Sequence, residues 1–118
     1  MATSTLLFIG CENALCKTVD NEFNGNGYHI EHAHTGSRAM QVLELQQIDL
    51  AVLDSELPVI DCLKTLELMK QKHPKLAVIL LTDDSHPQTA VEAMKHGVYD
   101  YFTKPVDWER LKTVVRNG

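Results

Sequence analysis

Asp54 ends an apolar, β-forming run, Leu50-Ala51-Val52-Leu53, and Pro58 follows four positions later. The carboxylate therefore sits where a buried strand stops and a loop begins. Thr82 closes a second such run, from Ala77 to Leu81, and Lys104 with Pro105 follows a further strand candidate, Tyr99 to Thr103. In an open parallel sheet, ligands bind at the C-terminal edge of the strands. A carboxylate, a hydroxyl and an ammonium meeting there are the groups that handle a phosphoryl group: nucleophile, hydrogen-bond donor and charge neutraliser. Each alone has a duller explanation, since aspartate commonly caps a turn. Three converging by chance is much less expected.

The elements that must position these groups are legible as alternating strands and helices. Leu6 to Ile9 reads as a first strand ending in Gly10-Cys11-Glu12, and Asn13 can begin a helix in which Leu15, Val19 and Phe23 share one face. Asn24-Gly25-Asn26-Gly27 stops that helix, because both residue types tolerate positive φ. Tyr28 to Ala33 is a second strand, and Ser37 to Gln46 a second helix with Ala39, Val42 and Leu43 inward. The strand ending at Asp54 is third. After Pro58, Asp61 can cap a helix bearing Cys62, Leu63, Leu66 and Met69 at helical spacing, until His73-Pro74 breaks it. A fourth helix starts near Pro87 and stops at Gly97, and a last one carries Trp108, Leu111, Val114 and Val115. Five βα units predict an α/β fold, a doubly wound parallel sheet with helices on both faces.

The chain has 118 residues, 44% of them apolar, which makes one domain over residues 1–118 with a real core. A formal charge of -5 argues against direct nucleic-acid binding, which wants clustered Lys and Arg. Three cysteines form no paired framework, the N-terminus carries no signal-peptide pattern, and no apolar stretch approaches membrane-spanning length. The expectation is a cytoplasmic protein, not held in a membrane, whose partners are proteins or small ions.

Leu-Ala-Val-Leu-Asp54-Ser-Glu-Leu-Pro58, Val-Ile-Leu-Leu-Thr82 and Asp-Tyr-Phe-Thr-Lys104-Pro105 resemble, in order and spacing, the three motifs of the response-regulator receiver domain. The resemblance covers essentially the whole chain. It implies a CheY-like (flavodoxin-like) sheet of strand order 2-1-3-4-5, with Asp54 as phosphoacceptor, Thr82 and Tyr101 as switch residues and Lys104 as the phosphate-binding lysine. The stretch from Thr89 to Pro105 is most similar to receivers of NtrC-type transcriptional activators. By the same resemblance the domain is not an enzyme, is phosphorylated by a sensor histidine kinase, and forms the N-terminal part of a longer regulator. Its output face, to an effector domain or a second copy, lies on the fourth helix, fifth strand and fifth helix, including Glu92, Lys95, Asp100, Tyr101 and Arg110.

The departures from the motif concern the metal. Receivers carry two adjacent acids after the first strand, which with the phosphoacceptor hold Mg²⁺; here those positions read Gly10-Cys11. Mg²⁺ demands near-octahedral oxygen ligands and binds through few carboxylates, so Asp54 and the backbone of Glu56 leave a weak site. Glu12 and Asp83 are the acids placed to supply a missing oxygen. Restoring both positions, with Gly10→Asp and Cys11→Asp, is expected to recover Mg²⁺ affinity. Asp83 also stands where the family keeps a small residue, and Cys62 where it keeps glycine.

His32 and His34 share a strand face that could chelate a metal, but two histidines without a third ligand are more often a solvated edge. Cys11 is more simply an apolar filler than a redox or soft-metal ligand. Asp49 and Asp61 read as turn and cap residues. Three function classes follow: a phosphorylation-controlled switch; a pseudo-receiver that works through protein contacts or dimerisation without phosphate; and a phosphatase of the haloacid dehalogenase type. The last ranks lowest, because that class places a second Asp two residues beyond the first, where this chain has Glu56.

Overall fold

The computed structural model describes residues 4–10, 13–23, 27–54, 59–82, 87–103 and 106–117, with side chains described throughout these except at 13–16, 59–62, 87–90 and 117. Strands and helices alternate: β1 (Ser4–Ile9), α1 (Asn13–Phe23), β2 (Tyr28–Ala33), α2 (Gly36–Leu45), β3 (Leu50–Asp54), α3 (Val59–Lys72), β4 (Ala77–Thr82), α4 (Pro87–Lys95), β5 (Asp100–Thr103) and α5 (Trp108–Asn117). The sheet is parallel throughout, in the order β2-β1-β3-β4-β5. Parallel neighbours need helical crossovers, and those crossovers cover both faces.

Strand alternation divides the core in two. Leu7, Ile9, Ala51, Leu53, Val78 and Leu80 face α2, α3 and α4, packing with Val42, Leu43, Leu66, Met69 and Ala93. Leu6, Phe8, Leu50, Val52, Ile79 and Leu81 face α1 and α5, packing with Val19, Phe23, Leu111 and Val115. Both faces of β3 are thus buried, which is why its sequence is an unbroken apolar run and not an alternating one. Each such buried Leu, Ile or Phe contributes about 1.5–3 kcal/mol relative to exposure.

Several local devices fix where the elements start and stop. Thr35 caps α2, its hydroxyl accepting from Arg38 N–H at 3.1 Å. Asp49 ties the approach to β3 back onto β1: its carboxylate accepts from Thr5 N–H at 2.7 Å, and its own N–H donates to Thr5 C=O at 2.9 Å. The α4 end is a Schellman motif, in which Gly97 N–H donates to Met94 C=O and Val98 N–H to Ala93 C=O. Gly97 takes the required left-handed conformation, with φ of +88°.

Several boundaries differ from the sequence reading: β1 starts at Ser4 and not Leu6, and α2 spans Gly36–Leu45 and not Ser37 to Gln46. Asp61 is not the cap of α3, which already begins at Val59. A proline just before a first helical turn is favourable, and an acid within that turn suits the helix dipole, so the start lies nearer Pro58. β5 begins at Asp100 and not Tyr99, although Tyr99 N–H already donates to Val78 C=O of β4 at 2.7 Å.

Candidate functional site

Asp54 and Thr82 come together because they end adjacent central strands. In the β3–β4 register Asp54 lies opposite Leu81, one residue short of Thr82, and Thr82 in turn lies opposite Thr103 of β5. Asp54 is 1% exposed and Thr82 2%, at the end of strands whose other inward groups are apolar. Buried polar groups of this kind are retained where they are satisfied, and neither lacks a partner within the chain. Tyr101 lies on the outer strand β5, opposite Leu80, with its side chain 41% exposed. Lys104, Glu56, Glu12, Asp83 and Cys11 lie outside the described residues, as does the side chain of Cys62.

β1 contributes no acid to this edge. Its last residue, Ile9, is followed by Gly10, which has φ of +82° and donates its N–H to Ala33 C=O of β2 at 2.7 Å. Sequence reasoning treated positions 10 and 11 as two equivalent lost carboxylates; the backbone separates them. Position 10 is in a region that side-chain-bearing residues avoid, so an aspartate there would be strained whatever it coordinated. Asp54 is the carboxylate at this edge among the described residues, whereas Mg²⁺ wants several oxygens. Among the described residues no three His, Cys, Asp or Glu side chains form a metal-holding group.

On the neighbouring surface the charges of α4, β5 and α5 are largely engaged within the domain. Lys95 lies 3.5 Å from Glu92, Asp100 accepts from Tyr101 N–H at 2.8 Å, and the Arg110 guanidinium sits 5.0 Å from the centre of the Phe102 ring. What this face offers instead is apolar: Val91, Met94, Tyr99 and Tyr101 are all substantially exposed. Sequence reasoning named the charges and Tyr101 and missed Val91, Met94 and Tyr99. The signal was present in α4, where Val91 and Met94 recur three apart while Ala93 takes the core.

The remaining candidates resolve as structural. His32 Nε2 is 2.9 Å from Asp20 Oδ1 on α1, and its ring lies beside Phe8, whereas His34 is exposed beyond the end of β2. On the α1–α5 side Lys112 Nζ meets Glu22 at 2.7 Å, and that hydrogen bond raises the lysine pKa above its ordinary value.

A doubly wound parallel sheet with a buried carboxylate and hydroxyl at its C-terminal edge defines a CheY-like receiver architecture. The chain matches the response regulator receiver domain over residues 8–116 and belongs to that family. Curated relatives include the transcriptional regulatory protein ZraR of Escherichia coli (strain K12), 30% identical over 113 residues that make up 96% of this chain and 26% of that protein. Another is the luminescence regulatory protein LuxO of Vibrio campbellii, 36% identical over 92 residues, 78% of this chain and 20% of that protein. The chain thus spans about a quarter of the length of such relatives, which are NtrC-type regulators. Among solved structures, NtrX from Brucella abortus superimposes with a TM-score of 0.87 at 27% identity, covering 99% of this chain and 26% of that one. The receiver domain of the response regulator TorR gives 0.89 over 97% of this chain and 94% of that one; at 23% identity it speaks to the fold alone. No helix among the described residues is long and apolar enough to cross a membrane.

Proposed function

We propose that this domain is the signal-input module of a longer, cytoplasmic two-component regulator, and that Asp54 is its phosphoacceptor. The observation carrying the reading is the burial of Asp54 and Thr82 at the ends of adjacent strands, in a domain of receiver family and fold. In the transfer, an Asp54 carboxylate oxygen attacks the phosphorus of a phosphohistidine on a sensor kinase. The O–P bond forms as the P–N bond breaks, and the imidazole leaves with its electron pair and takes up a proton. Lys104 neutralises the charge gathered on the phosphoryl oxygens, and the Thr82 hydroxyl donates to one of them. Drawing Thr82 toward the new group opens space that Tyr101 can enter from its exposed position, which reshapes the α4–β5–α5 face. That face contacts an effector domain or a second copy of the domain. The domain itself performs no enzymatic turnover.

The test is to treat the protein with acetyl phosphate, where the acyl P–O bond breaks and acetate leaves, and to map modified peptides by mass spectrometry. The proposal expects one phosphoryl group, on Asp54. A phosphoryl group elsewhere with Asp54 bare would overturn the assignment.

A second reading is favoured by Gly10: a pseudo-receiver that keeps the fold and signals through protein contacts alone. Complete absence of labelling, with the α4–β5–α5 face still binding its partner, would select it.

A further inference from the structure

The metal disagreement is built into the backbone. Gly10 is held from two sides. Its φ of +82° is a conformation that glycine enters freely and an L-residue enters with strain, because Cβ then crowds the neighbouring peptide. Its N–H is fixed at 2.7 Å to the carbonyl of Ala33, a residue 1% exposed, so relaxing the turn would leave a buried acceptor without its bond. A substitution at position 10 must therefore either accept the strained conformation or break the last link between β1 and β2.

We infer that glycine at position 10 is a backbone requirement of this chain, so that the first carboxylate of the family's acidic pair cannot be rebuilt there and the Asp54 site works without a tightly held Mg²⁺. The two departures then differ in kind: at position 11 a carboxylate has been exchanged for a thiol, whereas at position 10 the residue also carries a positive φ that favours glycine. This rests on the backbone geometry, and it holds whether or not Asp54 is phosphorylated.

The test is thermal unfolding of five proteins, wild type, Gly10→Ala, Gly10→Asn, Gly10→Asp and Cys11→Asp, each in EDTA and in millimolar MgCl₂. Gly10→Ala adds one methyl group and no charge, and should lower Tm by roughly 5–10 °C. Gly10→Asn should fall between glycine and alanine, because asparagine tolerates positive φ better than alanine does, although it is the larger residue. A role in packing alone would give the opposite order. Gly10→Asp should melt below wild type in EDTA, much as Gly10→Asn does, and gain little with Mg²⁺, while Cys11→Asp should stay near wild type in EDTA and gain Tm with Mg²⁺. Gly10→Ala as stable as wild type would overturn the inference, as would Gly10→Asp gaining as much from Mg²⁺ as Cys11→Asp. If Gly10→Asp does not fold, the Ala and Asn variants still decide. Failure of Asp54 labelling would leave all these Tm values unmoved, so the two proposals fail separately.

Discussion

The proposed phosphoryl chemistry turns on a single residue. Asp54 is a carboxylate at 1% exposure at the end of a strand whose other residues are all apolar. Burying a carboxylate is costly even when it is hydrogen-bonded, which makes a strand-end aspartate a functional-site candidate. Thr82 is its natural reporter. Thr82→Ala removes the hydroxyl that would answer a new phosphoryl group but leaves the acceptor oxygen, so labelling of Asp54 should persist while Tyr101 stops responding. Tyrosine fluorescence quenching before and after acetyl phosphate checks this, and a Tyr101 response preserved in Thr82→Ala would break the proposed relay. The strand-end positions of Asp54 and Thr82 were legible in the sequence because each is a polar residue closing an apolar run. Gly10 was not, because a glycine at an acidic position looks like a missing side chain; only φ shows that its backbone also favours glycine.

Between elements, the helices are held by close approach and by pinned charges. At the start of α2, a Cβ built on Gly36 would collide with the Thr65 hydroxyl of α3. Gly36→Ala should therefore cost about 1–3 kcal/mol through overpacking. Thr65→Ala removes the colliding oxygen, so the double variant should recover part of that loss in a urea-denaturation cycle. Strict additivity would show that the two helices do not meet there. On the opposite face Lys112 pins α5 to Glu22 of α1. The raised Lys112 pKa means the pair's stabilisation is fully present below the ordinary lysine value of 10.5 and is lost as pH rises through the raised value. Lys112→Met should melt slightly lower than wild type at pH 7, with the gap closing at strongly alkaline pH; a gap that stayed constant would assign the effect to packing of the lysine stem. The number, order and kind of these elements were readable from periodicity. The start of α3 was not, since Asp61 satisfies a capping pattern in sequence and only the backbone shows that Val59 is already helical.

For the whole molecule, five repeated βα units made a parallel, doubly wound sheet legible, while the strand order 2-1-3-4-5 was anticipated from the family resemblance of the strand-end motifs. How the molecule meets its partners was less accessible, because pairing of charges within the domain depends on side-chain placement. Arg110 stacks on Phe102 and Lys95 lies near Glu92, so reversing Lys95 and Arg110 would disturb the domain's own surface as well as any contact. Met94, 51% exposed on α4, is the cleaner probe. Met94→Asp should leave the urea midpoint nearly unchanged, as exposed substitutions usually do within about 0.5 kcal/mol. It should also weaken any dimer seen by sedimentation velocity, and an unchanged dimer would place the interface elsewhere. The central claim is that phosphorylation of Asp54 reorganises the distant α4–β5–α5 face. Amide chemical-shift mapping of isotope-labelled protein, before and after acetyl phosphate, tests it most directly against Asp54→Asn as the control. The account predicts shifts spreading from Asp54 through Thr82 to Tyr101 and α4 in the wild type, and none in Asp54→Asn; the same shifts in Asp54→Asn, or shifts confined to the immediate surroundings of Asp54, would contradict it.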